Sequence, residues 1–188
     1  MTLAEVRVLI DAIDPQIRDL LMQRLDCSYQ VVEAKLAAGE TTIFRADREE
    51  AILERLGEGV PEDRLTGYLA VVRKIMEASR MYQYGLMYDR LPDPFGPLAE
   101  GLEIPADCSR VRVRLARPNR PNAMSQILSM IGDYGCNMEE MVQVEGHAGS
   151  EKAAFELQIL GDLNRTHMKK LMFQLSKESE DFRILTAE

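Results

Sequence analysis

The sequence predicts two domains of different fold class, an all-α domain of three helices followed by an α+β domain. Three observations predict this division. Apolar residues recur every three or four positions over residues 1–90, whereas apolar and polar residues alternate strictly over 110–116. Between them, residues 90–109 contain four of the eight prolines. We therefore expect a helical domain at 1–90, a Pro/Gly-rich linker at 91–108 and a second domain at 109–188.

The first predicted element is one long helix with a heptad-like apolar seam over residues 3–38. At 1.5 Å per residue it would extend for about 50 Å, more than the two shorter helices that follow can cover. A partner chain is the natural cover, so we predict a dimer. Pro15 interrupts the pattern: either the helix kinks there, or Asp14 caps a second segment that begins at Pro15.

The second and third helices have recognisable beginnings. Asp47 is the predicted N-cap of the second helix, with Glu50 three positions later completing a capping box, and this helix is expected to end near Leu56. The third helix is predicted to begin after Pro61 and to continue to about Tyr88.

The C-terminal domain has mixed periodicity. Alternating and helical segments follow one another in the order βαββαβ, which predicts a small ferredoxin-like α+β sheet. The segments, in order, are RVRVRLA, MSQILSMIGDYG, MEEMVQVEG, AAFELQILGD, RTHMKKLMFQLSKE and FRILT.

Composition excludes several classes of function. The 23 Lys and Arg residues against 31 Asp and Glu give a net charge of −8 without long single-sign runs, so no nucleic-acid partner is predicted. The cysteines and histidines lack metal-ligand spacing, so we predict no metal and no cofactor. The N-terminus lacks a signal pattern and no window approaches 18 apolar residues, which predicts a cytoplasmic protein without a membrane partner.

Some cations do not fit their surroundings. Arg24 occupies the apolar seam, which a charged side chain can do through an intersubunit salt bridge, by snorkelling to solvent, or at an anion site in the bundle. Lys35 lies three turns later on nearly the same face, about 16 Å along the axis. Arg7 lies about 25 Å before Arg24, so it could share a small ligand with Arg24 only from the other chain of an antiparallel pair.

Other polar residues suit binding. Ser79 and Gln83 share one face of the third helix because they are four positions apart. Arg48 and Glu49 open the second helix, where the helix dipole favours Glu49 but not Arg48. No nucleophile is paired with a base. Cations, an amide, a hydroxyl and a carboxylate indicate electrostatic binding of a small anion rather than proton relay.

The pattern VRVLIDAIDPQIRDLLMQRLDCSYQVVEAK…G…DREEAILERL…EASRMYQ resembles the AroQ-class, all-helical chorismate mutases over residues 3–88. The resemblance assigns a residue of this chain to each spaced position of the family's site. It implies the catalytic residues Lys35, Gln83 and Glu49 and the substrate-binding residues Arg7, Arg24, Arg48 and Ser79.

The resemblance also implies a reaction and an assembly. The reaction is the Claisen rearrangement of chorismate to prephenate, in phenylalanine and tyrosine biosynthesis, without a cofactor. In the implied intertwined dimer, Arg7 of the partner subunit and Arg24 clamp the two carboxylates. Lys35 and Gln83 donate to the ether oxygen, and Glu49 accepts from the ring hydroxyl.

Two further features bear on this resemblance. The loop between Lys35 and Arg48 is one residue longer than the commonest spacing of the family. A family aspartate that contacts the ring hydroxyl is replaced by Phe44 or Arg45, depending on where the extra residue falls. RPNRPNAMSQILSMIGDYGCNM resembles the loop, helix and strand of an ACT domain, a regulatory module. This implies an aromatic amino acid effector near residues 118–137 and a homodimer or a higher homo-oligomer.

Two other functions fit the same residues. An isochorismate-pyruvate lyase uses the same helical fold and similar cations, although Glu49 favours the mutase. A non-catalytic amino-acid-sensing subunit of another shikimate-pathway enzyme is suggested by the lost aspartate.

Overall fold

The computed structural model describes residues 1–147 and 149–188, which divide into two units, Met1–Met87 and Tyr88–Glu188. The predicted all-α and α+β fold classes and their element order are confirmed. The elements are α1 Leu3–Ala37, α2 Ala46–Gly57, α3 Glu62–Arg90, a 3-10 turn Gly96–Leu98, β1 Arg110–Pro118, α4 Ala123–Asp133, β2 Asn137–Glu145, β3 Lys152–Leu160, α5 Thr166–Glu178 and β4 Glu180–Ala187.

Helix α1 is continuous through Pro15. A capping box starts it: the Glu5 N–H donates to Thr2 Oγ1 over 3.3 Å, and the Thr2 N–H donates to Glu5 Oε2 over 2.7 Å. The alternative in which Asp14 caps a separate segment is therefore wrong. Proline removes one intrahelical hydrogen bond, but its fixed φ is helical, so the turns on either side preserve the helix.

The N-terminal half of α1 exposes its apolar seam. Its seam residues are between 37% and 67% exposed: Leu3, Val6, Ile10, Ile13, Ile17 and Leu20. Burial on α1 begins only further along, at Ser28 and Val32. An apolar stripe of this length is typical of a surface that binds another protein. The partner chain expected from the seam remains a prediction.

The predicted capping of α2 is wrong. The helix begins at Ala46, and Arg45, with extended φ −133° and ψ 93°, is the N-cap without a side-chain cap hydrogen bond. Asp47 lies inside the first turn because its carboxylate is held by Arg45, whose Nε and Nη2 donate to Oδ1 and Oδ2 over 3.2 and 3.0 Å. The Arg45 hydrogen bond, and then the Arg48 backbone, lower the pKa of Asp47. Arg48 and Glu49 are consequently the third and fourth helical residues rather than the first two.

The second unit contains a four-stranded antiparallel sheet of order β2-β3-β1-β4 among its described residues, which is the ferredoxin-like arrangement. The alternation along β1 determines its two faces, because successive side chains point to opposite sides. Val111, Val113 and Leu115 are buried in the core with residues of α4 and α5, such as Ile127 and Leu171.

The opposite face of the sheet is charged. Arginines of β1 form ion pairs with glutamates of β2, Arg110 with Glu139 at 3.3 Å, Arg112 with Glu140 at 2.9 Å, and Arg114 with Glu145. These ion pairs reach across β3, which lies between β1 and β2, and satisfy the arginine row that the alternation of β1 directs outward.

Part of the Pro/Gly-rich segment packs onto the second unit. Phe95 belongs to its buried core, and Leu98, Leu102 and Ile104 pack against that core. Within residues 1–147 and 149–188, no helix is both long enough and apolar enough to cross a membrane.

Candidate active site

A cavity of about 560 Å³ lies in the helical unit, between α1, the loop that follows it, α2 and α3. This volume is typical of small-molecule sites. The lining residues come from positions spread over sixty residues of sequence: Arg24, Cys27, Ser28, Val31, Lys35, Glu40, Ile43, Arg45, Arg48, Glu49, Ile52, Met76, Ser79, Arg80 and Gln83.

The cavity is strongly cationic. Five of the described lining residues are Arg or Lys and two are Glu, so its formal charge is 5 − 2 = +3, although the chain as a whole carries −8. A concave wall of one sign concentrates the field and attracts ligands of the opposite sign. The cavity is therefore suited to a small anion with more than one negative charge.

The structure brings together all but one of the sequence-predicted site residues. Those that line the cavity are Arg24, Lys35, Arg48, Glu49, Ser79 and Gln83. Arg7 does not line it and is exposed on the N-terminal part of α1. The 17 residues of continuous helix between Arg7 and Arg24 place them about 25 Å apart along the axis.

Arg24 is held by α3. Its Nη1 donates to Ser79 Oγ and lies 3.5 Å from the Ile75 carbonyl oxygen, while Ser79 Oγ itself donates to that carbonyl over 2.9 Å. In the described part of the chain, Nε and Nη2 of Arg24 have no hydrogen-bond partner. Arg24 thus has a fixed position and N–H groups that remain available to a ligand.

Lys35 is oriented by the loop after α1. Its Nζ donates to Glu40 Oε1 over 2.8 Å and to the Thr42 carbonyl oxygen. An ammonium group has three N–H donors, so one remains for a ligand. The hydrogen bond from Lys35, together with its charge, lowers the pKa of Glu40.

Gln83 is oriented by its own helix. Its Nε2 donates to the Ser79 carbonyl oxygen over 3.2 Å, one turn earlier. The amide nitrogen has two N–H groups, so the second can donate to a ligand whatever the pH, because an amide does not titrate.

Arg80 is a cavity residue that the sequence reasoning missed. It is 4% exposed, its Nη1 donates to Glu49 Oε1, and its guanidinium carbon lies 4.9 Å from the centroid of the Phe44 ring. Met76 and Tyr84 lie four residues before and after it on the buried stripe of α3. An arginine on an apolar stripe is the same signal that identified Arg24.

The loop residues that replace the expected aspartate have separate contacts. The Phe44 N–H donates to Tyr84 Oη over 3.3 Å, which joins the loop to α3. Arg45 lines the cavity and forms its ion pair with Asp47. No group of three or more His, Cys, Asp or Glu residues that could hold a metal ion occurs among the described residues.

Comparison with known proteins finds a family that the helical unit is similar to. Residues 6–84, which are 79 of the 188 residues, match the family model described as chorismate mutase type II. No curated protein matches the chain. A solved structure titled "GqqA- a novel type of quorum quenching acylases" is 20% identical, with a TM-score of 0.41 that is too low to indicate a common fold. The match covers 46% of this chain and 44% of that chain, so the chain spans less than half of its length.

The Lys35–Glu40 ion pair predicts that the stability of the helical unit depends on pH. A carboxyl whose pKa is lowered by folding contributes to stability above its ordinary pKa, and this contribution is lost as the pH falls through the lowered value. We expect NMR titration of the side-chain carboxyl carbons to give a Glu40 pKa below the ordinary glutamate value, and Lys35→Ala to raise it towards that value. Lys74→Ala, at an exposed position on α3, is the control. An unchanged Glu40 pKa in Lys35→Ala would contradict the pairing.

Proposed function

We propose that the chain, whose residues 6–84 match the chorismate mutase type II family model, converts chorismate to prephenate in the cationic cavity of its helical unit. One observation carries the proposal: six of the residues assigned to substrate binding and catalysis come from three helices and line one cavity. Chorismate is a dianion, and its charge is complementary to a cavity whose formal charge is +3.

The reaction needs positioning rather than proton transfer. The ether C–O bond of chorismate breaks while a C–C bond forms within the same molecule, so atoms and electrons balance without a co-reactant. The site must therefore hold the compact conformer, and Arg24 can do so through the N–H groups that Ser79 leaves uncommitted. Ser79 supports Arg24 in this structure, since its own hydroxyl proton is given to the Ile75 carbonyl.

The ether oxygen gains negative charge as its bond to carbon breaks, so donors aimed at it lower the barrier. Lys35 and Gln83 each have one N–H beyond those used in the protein. Both groups are preorganised, Lys35 by Glu40 and Gln83 by the Ser79 carbonyl. Neither donor is a carboxyl group that would need a raised pKa to stay protonated, so both can donate at neutral pH.

We propose that Glu49 accepts a hydrogen bond from the ring hydroxyl of the substrate. In the described part of the chain, its Oε1 accepts a hydrogen bond from Arg80 Nη1 and its Oε2 has no hydrogen-bond partner. A carboxylate only accepts hydrogen bonds when ionised, so Oε2 suits a hydroxyl donor. This carboxylate at the cavity wall supports the mutase over the isochorismate-pyruvate lyase.

Arg7 of the partner subunit would complete the site. The exposed apolar seam of α1 supports a second copy packed along this helix, and Arg7 lies within the same stretch. An antiparallel arrangement would bring Arg7 of the partner subunit towards the cavity, which Arg7 of the same chain is too distant to reach. The second substrate carboxylate would then have its own arginine.

The second unit is the proposed regulatory part, in the manner of an ACT domain. A cavity of about 200 Å³ lies where the loop after β1 enters α4, and its lining includes Asn119, Met124 and Phe155. Asn122 precedes α4 in the left-handed region at φ 65°, which turns the chain into the helix. Backbone N–H groups at a helix N-terminus favour a carboxylate, and Met124 with Phe155 provides apolar contacts for an aromatic side chain.

The purified chain is expected to consume chorismate, followed by loss of its ultraviolet absorbance, with prephenate as the product. Lys35→Ala should lower kcat by roughly a hundredfold or more, because a donor to the developing oxyanion is lost. Lys74→Ala, outside the cavity, should retain the wild-type rate. Unconsumed chorismate would contradict the proposal and favour the sensing subunit, and pyruvate release from isochorismate would favour the lyase.

The shared site predicts complementation between two inactive variants. Arg7→Ala and Lys35→Ala should each be nearly inactive. A heterodimer of the two has one site with both changes and one intact site, so it should recover about half of the wild-type activity. The measurement is kcat of a co-expressed, doubly tagged heterodimer. Failure to recover activity in a verified heterodimer would show that Arg7 and Lys35 act in the same site of one chain.

The effector cavity predicts binding of an aromatic amino acid. Calorimetry on the full chain should show heat with phenylalanine or tyrosine, and Met124→Ala should weaken this binding roughly tenfold by removing an apolar contact. Leu128→Ala, one turn further along α4 and partly exposed, is the control. Absence of heat with either amino acid, or equal affinity in Met124→Ala, would contradict this role.

A further inference from the structure

We propose that Arg80 is a positioning residue of this site: it holds Glu49 through one carboxylate oxygen and so keeps the other directed at the substrate's hydroxyl. The inference rests on the proposed function for the identity of the substrate. It concerns a residue that neither the resemblance nor the helix periodicity assigned to the site.

The buried position of Arg80 favours its ion pair with Glu49. Its side chain is 5% exposed and that of Glu49 is 20% exposed, and the two meet at the cavity wall through Nη1 and Oε1. A guanidinium remains charged at any pH at which the protein is folded. Removing a carboxylate that is hydrogen-bonded to a buried cation is strongly unfavourable. Glu49 is therefore tied to α3 rather than free to follow the cavity surface.

The Phe44 ring also contacts the Arg80 guanidinium. Its ring lies 4.9 Å from the guanidinium carbon, within the range of a cation–π contact. Its own backbone N–H donates to Tyr84 Oη on α3, so the ring is held to the same helix that carries Arg80. Tyr84, Phe44, Arg80 and Glu49 thus form one connected chain of contacts. The planar guanidinium loses little freedom when it bonds from such a stacked position.

Holding Glu49 matters because the cavity contains competing cations. Arg24, Lys35 and Arg48 line the same cavity, and a mobile carboxylate would pair with one of them. That pairing would remove both the acceptor for the hydroxyl and a cation needed by the dianion. Arg80 prevents it by occupying Oε1, which leaves Oε2 without a hydrogen-bond partner among the described residues. In this chain, Phe44 and Arg45 take the place of the expected aspartate in the loop before α2. The contact with the substrate's hydroxyl is therefore made by Glu49, whose carboxylate Arg80 holds in position.

A double-mutant cycle tests whether Arg80 acts through Glu49. We expect Arg80→Gln to lower kcat/KM about thirtyfold in the wild-type background, but by less than about threefold in the Glu49→Gln background. Arg80→Lys should retain more kcat/KM than Arg80→Gln, because lysine keeps the positive charge although it lacks the planar set of guanidinium N–H donors. Arg64→Gln, at an exposed position on the same helix, should leave kcat/KM unchanged.

The opposite results overturn the inference. Equal losses in both backgrounds would mean that Arg80 contacts the substrate itself. A value of kcat/KM within about twofold of wild type in Arg80→Gln would mean that Glu49 needs no support. If Arg80→Gln does not fold, Phe44→Leu replaces it in the cycle. This variant keeps an apolar side chain but removes the π face, and it should show a smaller loss of kcat/KM with the same dependence on Glu49.

Calorimetry with prephenate separates this inference from the proposed reaction. Prephenate also carries two carboxylates and a ring hydroxyl, so its affinity reports the held carboxylate without turnover. We expect roughly tenfold weaker binding in Arg80→Gln and no further loss when Glu49→Gln is added. If chorismate is not consumed but this pattern appears, the reaction is wrong and the role of Arg80 stands. If prephenate binds wild type and Arg80→Gln equally, or binds neither, the role of Arg80 is wrong.

Discussion

The helical unit depends on one buried ion pair, in which Arg80 of α3 is 4% exposed and donates to Glu49 of α2. Arg24 on α1 and Arg80 on α3 both occupy positions where their neighbours are apolar, and each is satisfied by a residue on another helix, Ser79 and Glu49 respectively. Burying the charge of Arg80 favours a paired carboxylate, so its contact with Glu49 holds α2 against α3. The hydrogen bond of the exposed Arg24 to Ser79 holds α1 against the same helix. The same pairing gathers positive charge around one cavity.

The site residues share a second property, which is partial use of their hydrogen-bonding capacity. Lys35, Gln83 and Glu49 each contact the protein through some of their donors or acceptors and retain another for a ligand. A group held in this way needs little reorganisation when charge develops on a substrate. The cavity thus combines rigid placement with unused bonding capacity, which is the arrangement expected for electrostatic rather than proton-transfer catalysis.

The two units bury apolar surface to different degrees. The sheet and helices of the second unit enclose a continuous core that includes Leu157 and Met172. In the helical unit, the first half of α1 leaves its apolar seam exposed, and Arg7 lies in that exposed half, outside the cavity of its own chain. The exposed seam and the position of Arg7 are the two features that support the proposed second copy along α1.

The sequence by itself determined the element types and the candidate cations, because periodicity and misplaced charge are local features. It placed the three helices and the βαββαβ order, and Arg24 was conspicuous on its apolar seam. Only the tertiary structure decided where α2 begins, since Asp47 is drawn to the Arg45 side chain instead of capping. It alone brought Arg80 to Glu49, because a contact between residues 31 positions apart depends on how helices pack and not on the pattern within either helix.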